Sequence, residues 1–414
     1  MKNIGGTGVY TKIIIDELLA RGHTIGFWPA NGVIFKEFQD KNLILYDMEQ
    51  EEVNEEWDII ILQHADILYY TQRIIQQLKN VPIIFISHSS SPNDQITTDN
   101  RVMKVLKIAE GVASSNWDYP EEFIETHRNP IIIKQDSTYL KPRNPKNILL
   151  LSRLAEDKAD IVRYIISTIN RLPKYNLLIA GKAVFYEKYY SISNGNIKFL
   201  GQVENTDLLF KNTDLVIGSG RVALEGIANK RPVLVAGFRG LGGLVTPDNF
   251  QEYVKIMFSG RIGGQKAEKI ERFDLEKKIE TIFNNEKITD IVERNYLLLK
   301  QIFDHKLVVT KLEKTINNLI ELFEMVNDKT RIVNLKPKLV SNCDFKNYDK
   351  QIIIERKVSG RQICVIDNEL HAIISKLNGK KKIGQFLSKN IVDNSTLLQN
   401  IKELWELKLL SLTK

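Results

Sequence analysis

A chain of 414 residues has room for two or three domains, and 26% charged with 43% hydrophobic residues is the balance of an ordinary soluble globular protein. No apolar run reaches the length of a bilayer span and no signal peptide is visible, so a cytoplasmic protein is expected. The net charge of +7 is concentrated at the end, where thirteen Lys and Arg face seven Asp and Glu between Lys346 and Lys414, so the basicity does not belong to the body of the chain.

The first element, "NIGGTGVYTKIIIDELLARGHTIGFW", reads as a glycine loop (Gly5, Gly6, Thr7, Gly8), a helix and a strand. The helix carries Ile13, Ile14 and Leu18 at helical spacing and stops at Gly22. Such a loop ordinarily comes after a strand, yet only Met1–Ile4 precede it. The expectation is that the first central strand of this sheet is missing and that a strand of another chain could pair there in a homo-oligomer. "WDIIILQH", a helix, "VPIIFISHSS" and "AEGVASSN" continue the alternation of strand and helix. Alternation of this kind implies a parallel sheet with helices on both faces, here over residues 1–146. His88 ends one strand and His64 another, both positions at which a parallel sheet presents residues to ligands. A lone His is more often a structural hydrogen bonder. His23 and His127 read as solvated, and His305 and His371 as structural.

From residue 147 a second unit begins, extending to 328. "NILLLSRLAEDKADIVRYII" is a strand, Ile148–Leu151, then a loop with Arg153 and Lys158, then a helix. "YNLLIAG" and "IKFLGQV" are further strands. In "DLVIGSGRVALEGIANKRPVLVAGF" the strand Leu215–Ile217 meets Gly218-Ser219-Gly220, and a helix opens with Arg221 and Glu225. Free N–H groups at a helix start attract phosphate, and glycines let it approach. Arg221 can add a charge-assisted bond to an anion, and Glu225 can accept from a ribose diol. The alternative is a surface turn capped by Ser219 with Glu225 solvated. "FRGLGGLVTPDNF", with Gly240, Gly242 and Gly243, is either a loop closing over a ligand or a tight connection. Asn295 to Asn327 reads as one long amphipathic helical region.

Thr330 to Ser341 reads as a linker. Residues 343–414 read as a small α+β module: two strands about Ser359-Gly360, then three helices. Lys380, Lys381 and Lys382 fall at a turn, which argues against nucleic acid as the partner. Cys343 and Cys364 lack metal-ligand spacing and read as reduced structural thiols.

"SRLAEDKA" and "VALEGIANKRPVL" resemble the donor-binding motifs of two-domain (GT-B fold) glycosyltransferases, especially the family 4 group. Ser152 and Ala159 stand where that group has glycines. The resemblance implies two Rossmann-like parallel-sheet domains facing a cleft, with a late helix crossing back to the first. It implies Arg153 and Lys158 on the donor diphosphate, Glu225 on its ribose, and Ser219, Gly220, Arg221, Gly242 and Gly243 around the donor. It places the Gly5–Gly8 loop at the cleft and His88, as the catalytic candidate, near the donor sugar. The group's paired acid would fall at Ile217, which leaves the sugar contacts and the stereochemical outcome open.

The module at 343–414 is similar in rhythm to winged-helix peptide-recognition domains of the pyrroloquinoline quinone type. The function implied is hexosyl transfer from a nucleotide diphosphate-sugar to an acceptor (glycan, lipid-linked sugar, small molecule or peptide) without a cofactor. The chain has no Asp-x-Asp, so a metal-independent design is expected. A sugar-nucleotide epimerase or hydrolase, and a non-catalytic binding protein, are the alternatives.

Overall fold

The computed structural model describes the chain apart from residues 1–5, 30–37, 39–41, 47–51, 64–74, 79, 89–100, 113–118, 134–145, 153, 155–157, 182–188, 204–205, 265–270, 272 and 388–392. It forms two compact units: Met1–His127 with Val309–Lys414, and Arg128–Val308. Among the described residues no helix is long and apolar enough to cross a membrane.

The first unit opens with helix α1, Gly6–Ala20, which buries Tyr10, Ile13, Ile14, Ile15 and Leu18. Gly22 ends it with φ +90°, and the amides of Gly22 and His23 turn back to the carbonyls of Leu19 and Leu18. That is the paired closure by which a left-handed glycine satisfies a helix's last carbonyls. Strands β1 (Gly26–Phe27) and β2 (Ile44–Leu45) pair in parallel. Strands β3 (Ile60–Gln63), β4 (Ile83–Ser87), β5 (Val102–Lys107) and β6 (Ile124–Thr126) form a separate sheet in that order. All its pairings are parallel.

The sequence expectation for β5 is displaced. The strand is Val102–Lys107, and Ala109–Val112 form the turn after it. The lysines inside "VMKVLK" mask its apolar pattern, although Val102, Met103, Val105 and Leu106 are buried.

The second unit carries the larger sheet. Strands β7 (Lys146–Leu151), β8 (Tyr175–Ala180), β9 (Ile197–Gly201), β10 (Leu215–Gly218), β11 (Val233–Gly237) and β12 (Gly240–Leu244) stand in the order β12-β11-β10-β7-β8-β9. Only β12 runs antiparallel to its neighbour. The helices among the described residues are α2 (Ala159–Asn170), α3 (Asp207–Lys211), α4 (Arg221–Ala228), α5 (Phe250–Lys255), α6 (Asp274–Phe283) and α7 (Ile288–Phe303).

Side chains alternate across a strand, so a sheet buried on both faces feeds two cores. Ile148, Leu150, Leu215, Ile217 and Leu234 enter one core with Ile165 and Ile279. Leu149, Val216, Val233 and Val235 enter the other with Leu224 and Leu299. This is why the strands read as unbroken apolar runs.

The long helical region at Asn295–Asn327 is two helices. Helix α8, His305–Asn327, starts afresh after Asp304, whose dihedrals are extended (φ −52°, ψ 124°). Asp304 Oδ1 accepts from the Lys306 amide at 2.9 Å and so caps α8. From Val309 the chain belongs to the first unit. There Glu313 accepts from Arg21 Nη1 at 2.7 Å and lies 2.8 Å from His23 Nε2. Hydrogen bonds from His23 and then Arg21 hold the Glu313 carboxyl below its usual range, so His23 is a hydrogen-bond partner and not a merely solvated residue.

The segment expected to be a linker contains a strand instead. β13, Lys336–Leu339, pairs antiparallel with β17, Leu410–Thr413, at the far end of the chain. Pro337 is tolerated because this two-stranded ribbon has only edge strands. Between them lie an antiparallel sheet and three helices. The sheet is β14 (Cys343–Tyr348), β15 (Gln351–Arg356) and β16 (Gln362–Asp367); the helices are α9 (Asn368–Ile374), α10 (Gly384–Leu387) and α11 (Asn394–Glu406). Asp367 and Asp393 cap α9 and α11. Both cysteines are free thiols.

Gly181 ends β8 with φ +137°, and a Cβ there would lie 1.9 Å from Ser152 O. Gly181→Ala therefore lowers stability by about 3 kcal/mol through backbone strain and displacement of Ser152. A urea melt that moved by less than about 1 kcal/mol would contradict this.

Candidate functional site

Strand order in the second unit reverses between β7 and β10. From β7 the chain runs outward through β8 and β9; it then crosses to β10 and runs outward through β11. Open parallel sheets bind ligands outside the strand ends at such a point. The register pairs Ile217 with Leu150 and Gly218 with Val235. The loops that leave β7 and β10 therefore start level with one another, and β11 runs two residues further, to Gly237.

Glycines shape the loop after β10. A Cβ on Gly218 would stand 2.5 Å from Val222 Cγ1, so glycine lets α4 begin hard against its strand. Gly220 has φ +60° and caps α4 without any side-chain cap, so the alternative of a turn capped by Ser219 is not what forms. The Gly220 amide donates to Phe258 O at 3.0 Å. The amides left for a ligand are those of the first turn of α4, which have no acceptor within the helix. Ser219 stands beside Gly237, whose Cβ would fall 2.8 Å from Ser219 Cβ.

Sequence reasoning missed the segment that supports this loop. Met257 and Phe258 are consecutive non-glycine residues at φ 56° and 52°. They turn the chain so that Phe258 O meets Gly220, while the Phe258 ring packs 5.7 Å from both Phe250 and Tyr253. Ser259 O then accepts from the Arg239 amide just beyond β11. Backbone held in this region costs about 1–3 kcal/mol per residue and survives where the surroundings overdetermine it. No residue type in "IMFSG" signals it.

Glu225 does not stand alone. Arg221 Nε donates to its Oε1 at 2.8 Å, and Arg221 Nη1 donates to Pro130 O at 3.2 Å. The two side chains are 16% and 26% exposed. Burial pushes the Glu225 carboxyl upward, and the Arg221 guanidinium pulls it partly back. Lys158, half-buried, is the residue before α2. Arg153 lies outside the described residues. Ile217 is fully buried in β10 and faces the core that holds Ile148 and Leu150, so an acid could not stand there without breaking that core. Gly242 and Gly243 lie in β12, not in a free loop. A Cβ on Gly242 would come within 3.0 Å of Tyr253 Oη, Gly260 O and Val235 O, and the Gly243 amide donates to Tyr253 Oη at 2.8 Å.

In the first unit Gly6, Thr7 and Gly8 are the first turn of α1, not a loop, and Gly5 lies outside the described residues. Thr11 Oγ1 donates to Thr7 O at 2.9 Å and sits 2.9 Å from the Gln63 side-chain amide. That amide lies 3.1 Å from His88 Nε2. The Tyr10 ring meets His88 edge-on at 4.8 Å and His127 at 5.9 Å. His88 thus joins a polar cluster drawn from α1, β3 and β4. His127, expected to be solvated, is buried, and its Nε2 has no hydrogen-bond partner among the described residues. His64 lies outside the described residues.

No family model and no curated protein matches this chain. Solved structures do. A glycosyltransferase from Rickettsia africae ESF-5 superposes with a TM-score of 0.56 at 17% identity, over 76% of this chain and 95% of that one. The sucrose-phosphate synthase of Thermosynechococcus elongatus gives 0.54 at 12% identity, over 77% and 94%. The fold is that of a GT-B glycosyltransferase. The likeness is one of fold: the paired Rossmann-like parallel sheets expected from the sequence are present, with small antiparallel sheets at the C-terminal end.

Burial, and then the charge of Lys311, push the His127 imidazole down to about 4. Its unfolded value is near 6.5, so the unfolded chain binds the extra proton. The stability that neutral His127 allows is complete above pH 6.5 and is lost as pH falls toward 4. Over that window the wild type loses as much as about 3 kcal/mol more than His127→Gln, measured by urea unfolding at a series of pH values. Equal pH slopes would contradict the burial of an uncharged ring.

Proposed function

We propose that the chain is a glycosyltransferase that takes a sugar from a nucleoside diphosphate-sugar and passes it to an acceptor. One observation carries the reading: the segment bearing Lys158 and the loop leading to Arg221 and Glu225 leave adjacent parallel strands where the strand order reverses. Glycosyl transfer builds negative charge on the departing diphosphate. The first-turn amides of α4, Lys158 and Arg153 meet that charge, and such preorganised donors favour the transition state. The second carboxylate oxygen of Glu225 accepts from the ribose hydroxyls. The charge is met by this chain's own cations and amides, which supports a metal-independent reaction.

On this reading the first unit handles the acceptor, with His88 as the acid–base candidate and Thr11 and Gln63 fixing its ring. The module at 343–414 serves a partner. Both outer edges of its β14-β15-β16 sheet lack a neighbouring strand among the described residues, and an extended peptide could add to either.

Calorimetry with UDP, GDP, ADP and their glucose conjugates tests the site. One of these nucleotides binds, and Lys158→Ala and Glu225→Ala each weaken it about tenfold or more, the worth of one charge-assisted hydrogen bond. Nucleotide release that depends on added acceptor supports transfer; release without acceptor supports the hydrolase or epimerase alternative. If no nucleotide binds, or if both variants bind as the wild type does, the site assignment is wrong.

A further inference from the structure

We infer that Arg221 is a positioning residue, holding the Glu225 carboxylate toward the donor's ribose and not itself meeting the donor's phosphates. The inference rests on the nucleotide site proposed above and goes beyond it by giving Arg221 a different task from that of the other cations.

The guanidinium is already engaged on two sides. Nε donates to Glu225 Oε1 at 2.8 Å and Nη1 donates to Pro130 O at 3.2 Å. These two bonds tie Arg221 to the next turn of its own helix and to Pro130, near the start of the second unit, and fix the plane of the group. A cation at the first residue of a helix also meets the helix's own positive end, a placement that needs a counter-charge. Glu225, four residues on and on the same face, supplies it.

The benefit runs the other way as well. Glu225 is largely buried, and both burial and the nearby Asp207 carboxylate favour its neutral form. Arg221 opposes both effects. With Oε1 committed to Arg221, Oε2 has no hydrogen bond among the described residues. An ionised carboxylate held at one oxygen is set to accept from a vicinal diol at the other. A free nucleotide's 2′-hydroxyl is then read by a charged acceptor, and its loss is felt strongly. A surface ion pair of the ordinary i,i+4 kind would stabilise α4 slightly and would leave sugar recognition untouched.

The test separates the ribose from the diphosphate. The full chain and its variants Arg221→Ala, Arg221→Lys and Glu225→Gln are titrated with whichever of UDP, GDP or ADP binds most tightly, with its 2′-deoxy counterpart, and with inorganic pyrophosphate. The wild type prefers the ribonucleotide about tenfold, which corresponds to about 1.4 kcal/mol. In Arg221→Ala that preference falls to near one. Its ribonucleotide affinity drops about tenfold, the deoxynucleotide changes little, and pyrophosphate binds as before. Glu225→Gln loses the preference with Arg221 still present.

Arg221→Lys keeps the charge but not the fork, and restores part of the preference. It carries the test should the alanine variant fail to fold, since a preference there equal to the wild type's would overturn the inference. So would a uniform loss across ribonucleotide, deoxynucleotide and pyrophosphate in Arg221→Ala, which would put Arg221 on the phosphates and leave the nucleotide site standing. A wild type that binds no nucleotide would remove the nucleotide reading and this inference together, whereas one that binds both sugars alike would overturn this inference and leave the diphosphate contacts standing.

Discussion

The candidate site depends on one piece of backbone pairing, that of β7 with β10. At the near end the Asn147 amide donates to Asp214 Oδ2 at 2.7 Å, and the Asp214 amide donates to Asn147 O at 2.8 Å. Beyond that clasp each residue enters one of two cores on opposite faces of the sheet. A slip of one residue would exchange the two sets of side chains, and with both faces close-packed that is not tolerated. The register is therefore locked at one end, and at the other end the two strands stop level. The segments that leave β7 and β10 must then begin as neighbours. The chemistry proposed for the second unit is a consequence of that constraint.

The rest of the rim is made of departures from regular backbone. Gly218 lets helix α4 start against its strand, Gly220 supplies a positive φ, and Gly237 gives Ser219 room. Met257 and Phe258 take left-handed dihedrals without being glycines, and the bond from the Gly220 amide to Phe258 O ties that segment to the loop. Phe258 is fully buried against Phe250 and Tyr253, so apolar packing holds the unfavourable backbone in place. The site is then rigid on one side through packing and on the other through the Arg221–Glu225 pair.

Much of this was legible in the residues. Strands β7, β10 and β11 stand out because a sheet covered on both faces needs unbroken apolar runs, and "NILLL", "DLVIG" and "PVLVAG" are such runs. Gly220 before Arg221 marked the start of α4. The features that could not be read were set by tertiary contact. Lys104 and Lys107 hid β5 because they interrupt an apolar run whose other four residues are buried, while they themselves are only half-buried. Asp304 broke a continuous helical pattern by capping the second helix with its own side chain. His127 looked polar in "ETHRNP" but is enclosed beside Tyr10. Thr330 to Ser341 looked like a linker because the strand partner of β13 lies at the far end of the chain.

The nucleotide site is tested most directly by a crystal structure of the full chain with the nucleoside diphosphate that calorimetry selects. The expected result is that the phosphates lie within hydrogen-bond distance of Lys158 and of the first amides of helix α4, with the ribose on Glu225. A nucleotide bound elsewhere, with Lys158 and Glu225 making no contact to it, would contradict the assignment.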